Sequence, residues 1–135
     1  MFGKILKLWT VLILLIVIPS CTSERITKYE NEPLPTKIDG SAYTKEQITA
    51  AIMKACQRRG WVAQVREEGI IYASIIVRSN KAEAEISYDQ NRISIVPVVS
   101  KNKDSYARAD YRYWNRWVSF LFSSIIEYLS SSSEP

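Results

Sequence analysis

The chain has no histidine, only two cysteines, Cys21 and Cys56, and only four glycines in 135 residues. Without histidine it lacks the commonest general base and the commonest metal ligand. Two cysteines cannot build a thiolate zinc cage. If Cys21 is modified, Cys56 has no intramolecular partner, so there is no disulfide framework. Cys56 then reads as a small buried apolar residue on a helix. The glycines, at 3, 40, 60 and 69, have none of the spacings that cradle a phosphate. An excess of one charge is missing as well. There are 18 basic and 14 acidic residues, a net charge of +4, which is too balanced to argue for nucleic acid. Glu83 and Glu85 share a strand face and could mimic a catalytic carboxylate pair, but such a pair reads more simply as the solvated side of an antiparallel sheet. Glu67-Glu68 reads as a hairpin turn. These absences argue against an enzyme, a metal site and a cofactor.

The N-terminus is the most informative part of the chain. Lys4 and Lys7 precede an almost purely apolar run, Leu8–Ile18, which stops at Pro19. Eleven residues fall short of the roughly 20 that a membrane-spanning helix needs. A basic start, a short apolar run and a small residue, Ser20, make a secretory signal with a cut before Cys21. Ile18-Pro19-Ser20-Cys21 resembles the processing site of bacterial lipoproteins. That resemblance implies a diacylglyceryl group on the Cys21 sulfur, with Cys21 as the new N-terminus. It also implies anchoring in a lipid bilayer. Thr22, where aspartate favours inner-membrane retention in Gram-negative lipoproteins, then implies the periplasmic face of the outer membrane. In another kind of cell the address is the inner or cell membrane. Removing residues 1–20 takes away Lys4 and Lys7 and no acid, leaving 16 basic against 14 acidic residues.

Residues 21–42 read as the lipidated cysteine and a flexible polar tether, with Pro33 and Pro35 opposing regular structure. As a coil, the 21 residues after Cys21 would reach about 25 Å. A globular α+β domain is expected over 43–130, with a frayed tail over 131–135. Its first helix opens on a capping box, Thr44 with Gln47, and on Tyr43 and Ile48 at hydrophobic-staple positions. Its apolar stripe is Ile48, Ala51, Ile52, Ala55 and Cys56, and Gly60 reads as its stop. Four strands follow, Trp61–Glu67, Ile70–Arg78, Ala82–Tyr88 and Arg92–Val99, separated by Glu68-Gly69, Ser79-Asn80 and Gln90-Asn91. Folding at those turns sets Val65 against Ile71, Ile75 against Ala84 and Ile86 against Ile95, each pair core face to core face. Pro97 cannot donate to a ladder, which places the fourth strand at an edge. After a polar loop over 100–109, a helix from Asp110 to Leu129 carries Trp114, Trp117, Val118, Leu121, Ile125, Tyr128 and Leu129 on one stripe, with Tyr111 at its border. The expected fold is a four-stranded antiparallel meander with both helices on one face, in the order α-β-β-β-β-α. This order and the segment Trp114-Asn115-Arg116-Trp117 resemble small proteobacterial lipoproteins whose last helix opens on a Tyr-Asn-Arg-Trp-like sequence. The resemblance implies a fold and an address, and no reaction.

Residues 106–122 hold seven of the 15 aromatic side chains, interleaved with Arg108, Arg112 and Arg116. Trp114 and Trp117 belong to the core stripe. Tyr113, Arg116 and Phe120 fall together on a flank away from its centre. Tyrosine and arginine are enriched where interfaces bind most strongly, so these three are the partner-binding candidates. The outer sheet face is a second candidate, because it carries Tyr72, Ile76, Val96 and Val98 among polar residues. The sequence reads as a membrane-anchored, non-catalytic binding or accessory module of the cell envelope, attached through acylated Cys21, with an envelope protein complex as partner. The alternative is a binder of a small apolar or lipid ligand held between the last helix and the sheet. Large aromatics there count against a cavity. An enzyme is the third reading.

Overall fold

In the computed structural model, residues 25–98 and 111–132 are described. The expected signal peptide, Cys21, the loop over 100–109 and the last residues of the tail lie outside them. The described chain is α+β. It contains strand β1 (Tyr29–Pro33), helix α1 (Lys45–Arg59), strands β2 (Val62–Glu67), β3 (Ile70–Val77), β4 (Asn80–Tyr88) and β5 (Arg92–Pro97), and helix α2 (Tyr111–Ser131). The sheet has five antiparallel strands in the order β1-β5-β4-β3-β2, not four.

Helix α1 forms where its signals stand. The Thr44 hydroxyl accepts the Gln47 N–H at 3.1 Å, and the Gln47 side chain accepts the Thr44 N–H at 2.9 Å. At the other end Gly60, at φ +82°, donates its N–H back to the last turn. A left-handed residue there costs glycine no steric penalty. Tyr43, Ile48, Ala51, Ile52, Ala55 and Cys56 are all buried.

The three hairpins place one apolar face inward. Ile71, Ala73, Ile75, Ala82, Ala84, Ile86, Ile93 and Ile95 are buried on it, together with Trp114, Val118, Leu121, Ile125 and Leu129 of α2. Val65 faces Ile71 and Ile86 faces Ile95 as expected, but Ile75 faces Ala82 rather than Ala84. The β3–β4 turn is centred on Arg78-Ser79, one position earlier than Ser79-Asn80, and Arg78 holds φ +58°. Moving a hairpin turn by one position shifts the pairing by two residues, so the face is kept while the register changes. The core face also ends sooner than its pattern. Ala63 is only half-buried and Val65 is exposed, because β2 is the outer strand and the helices do not cover its far end.

The tether reading is corrected over 25–34. Tyr29–Pro33 pairs with β5 despite a register break and a left-handed Asn31 at φ +52°. Leu34 continues that path, its N–H donating to the Asn91 carbonyl at 2.8 Å. β5 is therefore an inner strand. The Val98 N–H donates to Glu83, so by alternation the Pro97 nitrogen points toward β1, past the last β1 pair at Tyr29 and Ile95. Proline blocks extension of that pairing and does not force β5 to the rim. Helix α2 runs two residues beyond the expected Leu129. Among the described residues no helix is long and apolar enough to cross a membrane.

Gly69 and Gly60 share nearly the same left-handed φ, but a Cβ at Gly69 would meet the Tyr88 carbonyl oxygen at 2.9 Å, whereas at Gly60 nothing lies within 4 Å. Alanine at either position should cost about 1–2 kcal/mol from conformation alone. Gly69→Ala should cost clearly more than Gly60→Ala in denaturant melts. Equal losses would show that the β2–β3 turn yields without resistance.

Candidate binding surface

Helix α2 is positioned by its buried stripe, and that stripe determines which residues remain outside. Trp114 is the pivot. Its ring meets the Trp61 ring edge-on, with centroids 6.4 Å apart, and its Nε1–H donates to the Thr27 carbonyl at 2.7 Å. Asn115, one residue on, accepts the Thr27 N–H at 2.6 Å and donates to the Arg25 carbonyl at 2.9 Å. Tyr29 then stacks on Phe122, with centroids 4.3 Å apart, and its hydroxyl reaches Ser119 at 3.4 Å. The segment before β1 is thus fastened along α2. Sequence reasoning missed this clamp. The one available signal was Asn115 itself, a poor helix former between Trp114 and Trp117.

The structure brings Tyr113 and Arg116 together. The Arg116 guanidinium stands 5.8 Å from the Tyr113 ring centre, and Tyr113 also meets Trp117 at 5.5 Å. Tyr113 is 37% exposed and Phe120 48%. Phe120 has a different neighbour, Arg59 at the end of α1, whose guanidinium lies 5.2 Å from the ring centre. Arg59 is held there by a 2.7 Å hydrogen bond from its Nε to Oγ of Ser124, a fully buried hydroxyl on α2. Beside it Arg58 stands 5.9 Å from the Tyr128 ring centre and pairs with Glu127 at 3.4 Å. The flank therefore joins the α1–α2 seam, and its arginines lie against rings as well as facing water.

The outer sheet face carries Tyr72, Glu83 and Lys81 in one network. Glu83 is held below the ordinary carboxylate range, first by Lys81 at 2.7 Å and also by the Tyr72 hydroxyl. Arg66 lies 4.8 Å from the Tyr72 ring centre. Strand β1 joins the sheet at its edge, beside β5. At one end of the sheet a polar cleft of about 240 Å³ is lined by Lys45, Glu68, Ser87, Asp89, Arg92 and Ser94 among others. Its charges serve the fold. Lys45 pairs with Glu68, Arg92 donates to the Asn31 carbonyl, and Asp89 accepts the N–H groups of Asn91 and Arg92. Among the described residues no three His, Cys, Asp or Glu side chains gather to hold a metal. Cys56 is buried, which pushes its thiol up to about 12 and leaves it a poor nucleophile at neutral pH. Trp61 Nε1 is buried without a hydrogen-bond partner.

The chain matches no family model, and comparison with curated proteins and with solved structures finds nothing similar.

Two expectations follow from these contacts. Asn115→Ala removes both side-chain bonds of the clamp. It should cost about 1–3 kcal/mol and speed amide exchange at Thr27 ahead of the sheet amides. Exchange at Thr27 that keeps pace with the sheet would show that the clamp holds without Asn115. Asp89 titrates below its ordinary value because the Asn91 and Arg92 N–H groups stabilise its charged form. A group depressed by folding stabilises above its unfolded pKa, so this contribution should fade as pH falls below about 4. The melting difference between wild type and Asp89→Ala should shrink on acidification. A difference that stays constant down to pH about 2 would contradict the assignment.

Proposed function

We propose that this chain is a lipid-anchored, non-catalytic binding module of the cell envelope. It is attached through Cys21 and presents the Tyr113–Arg116–Phe120 flank of α2. The observation that carries this reading is the contrast between the two sides of α2. Trp114, Val118, Leu121, Ile125 and Leu129 are buried, while two large aromatic rings, each with an arginine set against it, remain open on the other side. A helix that has already filled its core with apolar groups does not need exposed aromatics to fold. The same filling argues against a ligand held between α2 and the sheet, where Trp114 and Leu121 already occupy the space. The attachment rests on the sequence Ile18-Pro19-Ser20-Cys21 after its short apolar run.

The anchor is tested by growing cells with a fatty-acid probe. Wild-type protein should take up the label and Cys21→Ser should not. Equal labelling of both would reject Cys21 as the acylated residue. The flank is tested by Arg116→Glu with Phe120→Ser. Since both side chains are exposed, the double change should lower stability by no more than about 1 kcal/mol. A loss of 3 kcal/mol or more, the range of core truncations, would show that Phe120 is structural.

A further inference from the structure

The clamp changes how far the domain can stand from a bilayer. Asn115 and Trp114 fasten Arg25 and Thr27 to the beginning of α2. Only residues 22–24 then separate Arg25 from Cys21. Four Cα steps span at most about 14 Å. On the reading that Cys21 carries the lipid anchor, on which this inference rests, Arg25 lies within that distance of the acylated residue. Helix α2 is 21 residues long, about 30 Å. The reach from the anchor is thus about half the helix, and it starts from the end that holds Asn115. That end is the one kept nearest the membrane, and the end near Ser131 is carried away from it.

The chemistry of that end suits a headgroup layer. Segments 25–29 and 111–126 contain Arg25, Lys28, Arg112 and Arg116 and are bordered by Glu24, Glu30, Asp110 and Glu127. All four basic residues are exposed. Tyr113 stands open beside Arg116, with Trp117 half-buried behind it. Tyrosine and tryptophan settle at the level of lipid headgroups, where one end of the ring is wet and the other apolar. Arginine forms paired hydrogen bonds to phosphate. Basic surfaces are drawn to anionic lipid at short range.

We propose that the first turns of α2, through Tyr113 and Arg116 together with Arg25 of the clamped segment, rest on the phosphate groups of anionic phospholipids, so that the domain is held flush against the bilayer that anchors it. Phe120, under Arg59, belongs to the α1–α2 seam farther along. The occupant of the flank is then the headgroup layer, and the length of chain between Cys21 and Arg25 decides which part of the domain reaches it.

The test uses the full acylated protein carrying a nitroxide label at Tyr113→Cys or, at the far end of α2, at Ser131→Cys. Cys56 is buried and takes no label. In vesicles of phosphatidylethanolamine and phosphatidylglycerol, access of a water-soluble paramagnetic reagent should fall several-fold at 113 and hardly change at 131. Adding Arg25→Glu and Arg116→Glu should restore most of the access at 113 while the protein still floats with the vesicles. Flotation keeps two failures apart. Protein that does not float refutes the anchor and this contact with it. Protein that floats with position 113 as open as position 131 leaves the anchor standing and refutes the contact. Protection at 113 that survives the charge reversal, or that occurs only in native envelopes and not in lipid vesicles, would assign the flank to another occupant and overturn the proposal.

Discussion

Trp114 joins three parts of the chain that are far apart in sequence. Its ring lies against Trp61, the residue that leads from the α1 cap into β2, and its indole N–H holds the carbonyl of Thr27. A buried indole must satisfy its single donor or lose a hydrogen bond's worth of free energy. Here that requirement pulls a polar N-terminal segment onto the helix. Once Thr27 is fixed, Asn115 can close a second pair of bonds, Tyr29 can stack on Phe122, and β1 is delivered to the edge of the sheet beside β5. The fifth strand is thus held both by its pairing with β5 and by this fastening of the segment before it to α2. Trp61, whose own Nε1 has no partner, contributes packing alone to the same junction.

The sheet imposes the second constraint. Alternation gives it one apolar face, and that face must be covered by something other than water. Two helices suffice for the central strands, and they meet along a seam braced by Arg59 and Ser124, with the Arg59 guanidinium reaching over the exposed Phe120 ring. The seam uses polar atoms at its margin, where a fully buried hydroxyl is satisfied by a guanidinium that also covers a ring. The opposite face of the sheet carries the Lys81, Glu83 and Tyr72 network beside exposed Ile76 and Val62. Both sides of the domain therefore combine ion pairs with arginines set over aromatic rings.

Helical spacing divides the aromatic-basic segment between core and flank, and the structure adds a third role. Trp114 is core, Asn115 is a clamp, and Tyr113 with Arg116 is surface. Adjacent residues on a helix point about 100° apart, so four consecutive side chains can meet four different surroundings. A segment rich in one kind of residue is for that reason a poor guide to a single role.

Both helices, four of the five strands and the inward faces of β3, β4 and β5 were legible in the sequence, because each is announced locally. Thr44 and Gln47 cap a helix with their own atoms, Gly60 ends it by its own conformation, and Ile71, Ala73 and Ile75 mark a face by period alone. The exact β3–β4 register was not legible. Alternation is indifferent to a shift of two, and the turn that sets the register uses Arg78 in a left-handed conformation that Asn80 would have been expected to supply. Strand β1 was not legible either. Tyr29-Glu30-Asn31-Glu32-Pro33 has no apolar alternation, contains a proline and carries a left-handed asparagine. What holds it is the edge of β5 and the side chains of α2, which lie 59 or more residues away in the chain. Of the binding flank, its position off the core stripe could be read from helical spacing. The pairing of Phe120 with Arg59 and the fastening of the N-terminal segment to Asn115 could not, because both depend on where two separate helices and a strand come to rest against one sheet.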